Sequence, residues 1–284
     1  MIRATTRSAL REALGPARSD GRRVGLVPTM GFLHQGHVSL IDLARESCDT
    51  VVVSVFVNPM QFGPGEDLDR YPRDIERDSD IARGRGTDVF FVPPIAEMYP
   101  AGTVEVVVDS PRLADRLCGA FRPGHFRGVL TVVAKLLNLV TPAAAVFGQK
   151  DYQQLALIRH MVRDLDLPVD ILRGPTVREF DGLALSSRNT FLGSDERRDA
   201  ALLSRSLHEA GAAFEAGTRN VSDLTRIVRE RLNSGELVRP QYVELVGPDR
   251  LDPVETASEG DVLAIAAHVG ATRLIDNIIL GEAA

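Results

Sequence analysis

Between residues 24 and 174 the chain repeatedly sets a short apolar or β-branched run before a segment whose apolar residues recur at helical spacing. VGLVPTM (24–30), VVVSVFVN (51–58), DVFFVP (88–93), AAAVFG (143–148) and VDILRG (169–174) carry the strand pattern. GHVSLIDLARESC (36–48), a stretch around 73–84, FRGVLTVVAKLLNLVT (126–141) and DYQQLALIRHMVRDL (151–165) carry the helical one. Runs of valine without polar alternation suit strands covered on both faces, and strands separated by helices pair in parallel through βαβ crossovers. The pattern predicts an α/β fold with a Rossmann-like parallel sheet in an N-terminal domain, residues 1–175. In such sheets ligands gather beyond the carboxyl ends of the strands.

Beyond residue 175 the texture changes. A polar loop, PTVREFDGLALSSRN (175–189), precedes a helical segment at 194–217, for which Ser194 is the expected N-cap. A second helix over 221–235 and strand-like segments at 242–247, 261–269 and 272–280 predict a smaller α+β C-terminal domain, residues 176–284, acting as a lid. The N-terminal MIRATTRSALREALGPARSDGRR reads as an amphipathic helix.

With 33 basic and 39 acidic residues the formal charge is −6, which argues against a general nucleic-acid surface. Lysine occurs only at Lys135 and Lys150; the other basic residues are arginine. No apolar run reaches membrane-span length and no secretory pattern opens the chain, so the expected compartment is the cytoplasm. Cys48 and Cys118, both in apolar stretches, are expected as buried free thiols.

Four constellations carry chemistry. In the first, a strand ends at Thr29-Met30 and a helix begins near Gly36. Gly31, Phe32, Leu33, His34, Gln35, Gly36 and His37 fill the turn between them. Glycines, a helix N-terminus and two histidines three residues apart make an anion site suited to nucleotide phosphates. It is not a P-loop, since His37 stands where lysine is required, and zinc lacks a convincing third ligand. Two histidines capping a helix is the plain structural alternative. In the second, strand 51–57 delivers Asn58, Met60, Gln61 and Phe62 to its carboxyl end, where Gln61 offers both a donor and an acceptor. In the third, strand 143–147 ends in Gly148-Gln149-Lys150-Asp151. Lys150 is a mobile cation apt for phosphoryl charge, and Gln154 lies one helical turn on. In the fourth, Leu185-Ser186-Ser187-Arg188-Asn189 offers two hydroxyls and a guanidinium able to close over a triphosphate. Lys135, on an apolar helix, reads as a snorkelling stem.

His-x-Gly-His after the first strand resembles the signature of the nucleotidyltransferase superfamily, which includes class I aminoacyl-tRNA synthetases. The whole set, together with RPGHFRG and TRLIDN, closely resembles the pantoate–β-alanine ligase (pantothenate synthetase) family along nearly the full chain. Gln149 stands where that family often has Glu. The resemblance implies an ATP-dependent ligase of pantothenate biosynthesis. Pantoate and ATP give pantoyl adenylate and pyrophosphate; β-alanine then attacks, giving pantothenate and AMP.

By the same resemblance ATP contacts Met30 to His37, Gly148 to Asp151, Val177 and Leu185 to Arg188. His34, His37, Lys150, Ser186, Ser187 and Arg188 act on the reacting phosphates. Gln61 and Gln154 hold pantoate, with Gln61 also serving β-alanine. Mg2+ accompanies ATP with Asp78 as a candidate ligand, and the assembly is a homodimer. A nucleotidyltransferase acting on a phosphorylated acceptor, or a non-catalytic nucleotide-binding regulator, are the rival readings.

Overall fold

The computed structural model describes Met1–Glu282. Chain contacts divide it into two compact units: Met1–Asp115, Arg122–Gly148 and Leu157–Pro175 form one, and Arg116–Phe121, Gln149–Ala156 and Thr176–Ala284 the other. The first begins with β1 (Ile2–Ala4), α1 (Arg7–Ser19), β2 (Val24–Thr29), α2 (Gln35–Ser47), β3 (Thr50–Val55), α3 (Ile75–Gly84) and β4 (Val89–Phe91). In chain order follow the short helices α4 (Ile95–Met98), α5 (Pro111–Ala114) and α6 (Leu117–Phe121), then α7 (His125–Val140), β5 (Ala144–Gly148), α8 (Tyr152–Asp164) and β6 (Asp170–Gly174), of which α6 and the start of α8 belong to the second unit. The six strands form one sheet in the order β1-β4-β3-β2-β5-β6, and every pairing is parallel.

The register follows from composition. Val27 of β2 lies opposite Val53 of β3, and Val53 opposite Phe90 of β4. Both outer partners and Val53 are fully buried, with Ile41 of α2 and Val146 of β5 in the same core. The strand order reverses at β2, between β3 and β5, and the crevice beyond the carboxyl ends at such a switch point is where parallel sheets take ligands. The first three constellations all follow these central strands.

The expectation for the N-terminus needs correction. The N-terminus is not helical from its start: Ile2–Ala4 pairs in parallel with Val89–Phe91 as the edge strand, and the helix begins only at Arg7. Its N-cap is Thr6, whose hydroxyl accepts the Ala9 N–H. A strand of three residues carries no period for a sequence reading to detect.

In the second unit α9 (Ser194–Glu215) and α10 (Val221–Asn233) pack on an antiparallel sheet of β7 (Val238–Val246), β8 (Val262–Val269) and β9 (Thr272–Ile279), ordered β7-β8-β9. Leu203, Leu207, Phe214, Val228, Leu263 and Ile265 anchor its core. The cap of α9 is Gly193, not Ser194, and Glu196 accepts the Gly193 N–H at 2.9 Å. Cys118 is buried and reduced as expected, but its surroundings are polar: Sγ lies 3.2 Å from the Tyr242 hydroxyl and 3.3 Å from an Arg273 nitrogen.

Candidate active site

The turn after β2 is built by hydrogen bonds to its own backbone. Thr29 donates its hydroxyl to the Ser54 carbonyl of β3 and accepts the Gly31 N–H at 3.1 Å. Gly31 (φ +84°) and Phe32 (φ +53°) then both take left-handed conformations. A Cβ at Gly31 would stand 2.8 Å from a Val55 methyl and 3.0 Å from Asp78 Oδ2, so position 31 has no room for a side chain. Phe32 accepts a conformation that costs an L-residue about 1–2 kcal/mol. What holds it is Asp78 on α3, fully buried, whose Oδ2 accepts the Phe32 N–H at 2.7 Å and Oδ1 the Leu33 N–H at 2.6 Å.

Asp78, a candidate ligand for Mg2+ in the sequence, is engaged by this turn. Both carboxylate oxygens are taken by backbone amides, and burial raises its pKa despite those bonds. Its work is to clasp the turn. Arg77 adds a guanidinium 5.1 Å from the Phe32 ring centroid.

The histidines both cap α2 and present donors. His34 is the N-cap, its Nδ1 accepting the Gly36 N–H at 3.2 Å, while His37 Nδ1 accepts the His34 N–H at 3.3 Å. Their ring centroids are 4.1 Å apart. A neutral imidazole that accepts at Nδ1 carries its proton at Nε2. Each ring thus bears an Nε2–H donor beside a helix N-terminus, an arrangement suited to an anion. The observed bonds are those of the capping alternative, and they leave the Nε2–H groups as donors.

Beyond β3 the turn Pro59–Gln61 is organised by Asn58, which is 1% exposed. Asn58 Nδ2 donates to Gln61 Oε1 and to the Gly128 carbonyl, both at 3.1 Å. Its Oδ1 accepts the Met60 N–H at 3.3 Å and the Tyr99 hydroxyl at 2.7 Å. Burial pushes Tyr99 up to about 12, so the phenol remains a donor at neutral pH. Gly128 on α7 admits this turn, because a Cβ there would strike the Met60 carbonyl and lie 2.7 Å from the Gln61 nitrogen. The Gln61 carbonyl pairs with His125 Nδ1 at 2.7 Å and accepts from Arg122 at 3.3 Å, and Arg122 pairs with Glu66. Among the described residues Gln61 Nε2 meets a soft acceptor, Met30 Sδ, at 3.1 Å. A thioether is a weak acceptor that a substrate oxygen can replace.

Sequence reasoning brought Asn58 to the strand end without assigning it a role, and it missed Tyr99, Arg122 and His125. RPGHFRG was the available signal for the last two. Lys135, read as a snorkelling stem, places Nζ 5.7 Å from the Tyr99 ring centroid.

The remaining candidates belong mostly to the second unit. Gly148 closes β5, and Gln149–Asp151 form one 3-10 turn. Lys150 Nζ lies 3.5 Å from Asp151 Oδ2, with its side chain 20% exposed. The two adjacent glutamines have different environments. Gln153 is buried, accepting from the Cys118 N–H and donating to the Arg116 carbonyl, whereas Gln154 is half-buried. Val177 accepts the Leu185 N–H at 2.9 Å. Ser186 caps a 3-10 segment, Ser187–Phe191, by accepting the Arg188 N–H. The loop's base is pinned to α9 by Arg197, which pairs with Glu179 at 2.6 Å and Asp181 at 2.7 Å.

A family model described as pantoate-β-alanine ligase matches residues 3–279. The chain belongs to the pantoate-β-alanine ligase family. A pantothenate synthetase from Pelotomaculum thermopropionicum is 51% identical over 99% of this chain and 100% of its own length. A pantothenate synthetase crystal structure from Thermus thermophilus superposes with a TM-score of 0.93 at 46% identity, covering 99% of both chains. A pantoate-β-alanine ligase from Francisella tularensis, solved in complex with β,γ-ATP and β-alanine, superposes at 0.81 with 33% identity over 100% of this chain and 99% of its own. The sheet order and the antiparallel C-terminal sheet found here are those of pantoate-β-alanine ligases, and the chain is an ATP-dependent ligase that forms an amide bond.

Proposed function

We propose that this pantoate-β-alanine ligase works through a pantoyl adenylate, with each constellation in a separate role. The pantoate carboxylate attacks the α-phosphorus of ATP. Negative charge builds on the non-bridging oxygens and on departing pyrophosphate. Met30 to His37 bind the nucleotide, and the Nε2–H groups of His34 and His37 meet that charge. Gly148 to Asp151, Val177 and Leu185 to Arg188 complete the ATP contacts, with Lys150, Ser186, Ser187 and Arg188 as its charged and hydroxyl donors. Such donors stabilise a transition state without reorganising when the charge appears. Gln61 and Gln154 hold pantoate, Gln61 giving up its thioether partner as substrate arrives. The β-alanine amine then adds to the acyl carbon, loses a proton and expels AMP.

The observation that carries this reading is the shared orientation of the two histidines: both Nδ1 atoms accept backbone amides, which makes both Nε2 atoms donors. Mg2+ would travel with ATP and neutralise triphosphate charge. Among the described residues no cluster of three or more His, Cys, Asp or Glu could hold a metal. That fits an ion bound chiefly by phosphate oxygens and water, as Mg2+ commonly is. The same reading makes the enzyme a cytoplasmic homodimer acting on small molecules, not nucleic acid. Among the described residues no helix is long and apolar enough to cross a membrane.

The test is pantoate-dependent exchange of pyrophosphate into ATP, followed by single-turnover adenylate formation with His37→Ala. Exchange should require pantoate, and the variant should lose about 10²–10³-fold in adenylation. Exchange that required a phosphate ester instead, or a His37→Ala variant at normal rate, would sink the proposal.

A further inference from the structure

The proposed nucleotide contacts of the second unit lie on two irregular segments, the turn Gln149–Asp151 and the loop from Val177 to Arg188. One dipeptide on β9 reaches both. Asn277, 2% exposed, donates from Nδ2 to the carbonyls of Gln149 at 3.0 Å and Lys150 at 2.9 Å. Its neighbour Asp276, also 2% exposed, takes both arms of the Arg178 guanidinium, at 2.7 and 3.2 Å. Arg178 follows Val177, donates to the Gly182 carbonyl at 3.2 Å and bridges to Ala184. Asp276 Oδ1 also accepts the backbone N–H of Asn277 at 2.8 Å, which fixes the Asp276 carboxylate against the strand's own main chain. β9 pairs with β8 through these positions, Asp276 opposite Ile265 and Asn277 opposite Ala264, so the dipeptide sits on a paired strand. Successive side chains leave a strand on opposite faces. Two adjacent residues can therefore hold two segments that one residue could not.

We propose that Asp276 and Asn277 are positioning residues for adenylation, setting the Lys150 turn and the base of the Ser186–Arg188 loop against one rigid strand. The proposal rests on the assignment of Lys150 and Ser186–Arg188 to ATP. Neither residue touches substrate. Their effect passes through the Gln149 and Lys150 carbonyls and through the Arg178 guanidinium, which also holds the Gly182 carbonyl of the loop. A displacement of about 1 Å at a reacting group can cost around 10²-fold in rate. A purely structural role would instead show as lost stability with rates that multiply independently of Lys150.

A double-mutant cycle on the full chain separates these cases. Single-turnover adenylate formation, ATP KM and Tm are measured for Asn277→Ala, Lys150→Ala and the pair. Asn277→Ala should be slowed by about 10²-fold with ATP KM little changed. In the Lys150→Ala background the same substitution should cost nothing further. Asp276→Asn, which keeps shape but weakens the hold on Arg178, should also lower the rate more than it raises KM. If Asn277→Ala does not fold, Asn277→Ser retains one donor and enters the same cycle. An impaired Lys150→Ala beside a normal Asn277→Ala, or effects that multiply in the pair, overturns the positioning role alone. A normal Lys150→Ala overturns the Lys150 assignment itself, and this inference with it.

Discussion

At Asp78 a single carboxylate decides the path of the main chain. Phe32 stays left-handed because Asp78 takes its N–H and the next one. Asp78→Asn keeps the volume but turns an amide NH2 toward one of those donors. It should cost about 1–3 kcal/mol in denaturant unfolding, the range for a buried group left unpaired, and raise ATP KM. Unchanged stability would show that the turn holds itself. Lys150→Arg is the complementary substitution, retaining charge while replacing a compact ammonium with a planar fork. It should be badly impaired in adenylation; normal single-turnover rates would mean that only the charge matters there. The histidines, Gln61 and Lys150 were legible because each follows a strand in the sequence. The clasp that Asp78 makes on the turn was not legible, since its partners lie 45 and 46 residues upstream. Asn277 was out of reach for the same reason, with carbonyl partners 127 and 128 residues away.

Elements were read more faithfully than their ends. The apolar runs marked β2 to β5 because strands buried on both faces of a parallel sheet carry little else, while the edge strand β6, mostly half-buried, was marked by VDILRG. Caps were harder: Ser194 looks like a start, yet Gly193 with Glu196 is the actual one. The loop preceding α9 is held by charge as well as by backbone. Burial raises Glu179 and Asp181, but the hydrogen bonds from Arg197 outweigh it and hold both below the ordinary carboxylate range. A depressed folded pKa contributes stability that is present above the unfolded value and is lost as pH falls through the folded one. Arg197→Met should therefore lower Tm most near neutrality, and its gap from the parent chain should narrow as pH drops below about 4. A gap constant from neutral to acid pH would remove Arg197 from the account.

For the whole molecule, the sequence separated a parallel sheet from a later α+β region, and each unit carries its own apolar core. No sequence pattern indicated that Arg116–Phe121 and Gln149–Ala156 pack with the later unit. Those short segments owe their place to tertiary contacts, such as Cys118 with the Tyr242 hydroxyl and the Gln149 and Lys150 carbonyls with Asn277, and not to local preference. The near-absence of lysine also acts at this scale. Positive side-chain charge is carried almost wholly by arginine, which ordinary amine reagents leave alone, so acylation or reductive methylation finds only two ε-amines, Lys135 and Lys150. Such treatment should leave unfolding little altered while activity falls in step with modification of Lys150 by mass spectrometry, and bound ATP should slow both. Loss that follows Lys135 would contradict this. Where activity tracks Lys150, the chain carries its own chemical address, one amine at the proposed point of reaction where a fluorophore, crosslinker or nucleotide mimic could be installed without engineering the rest.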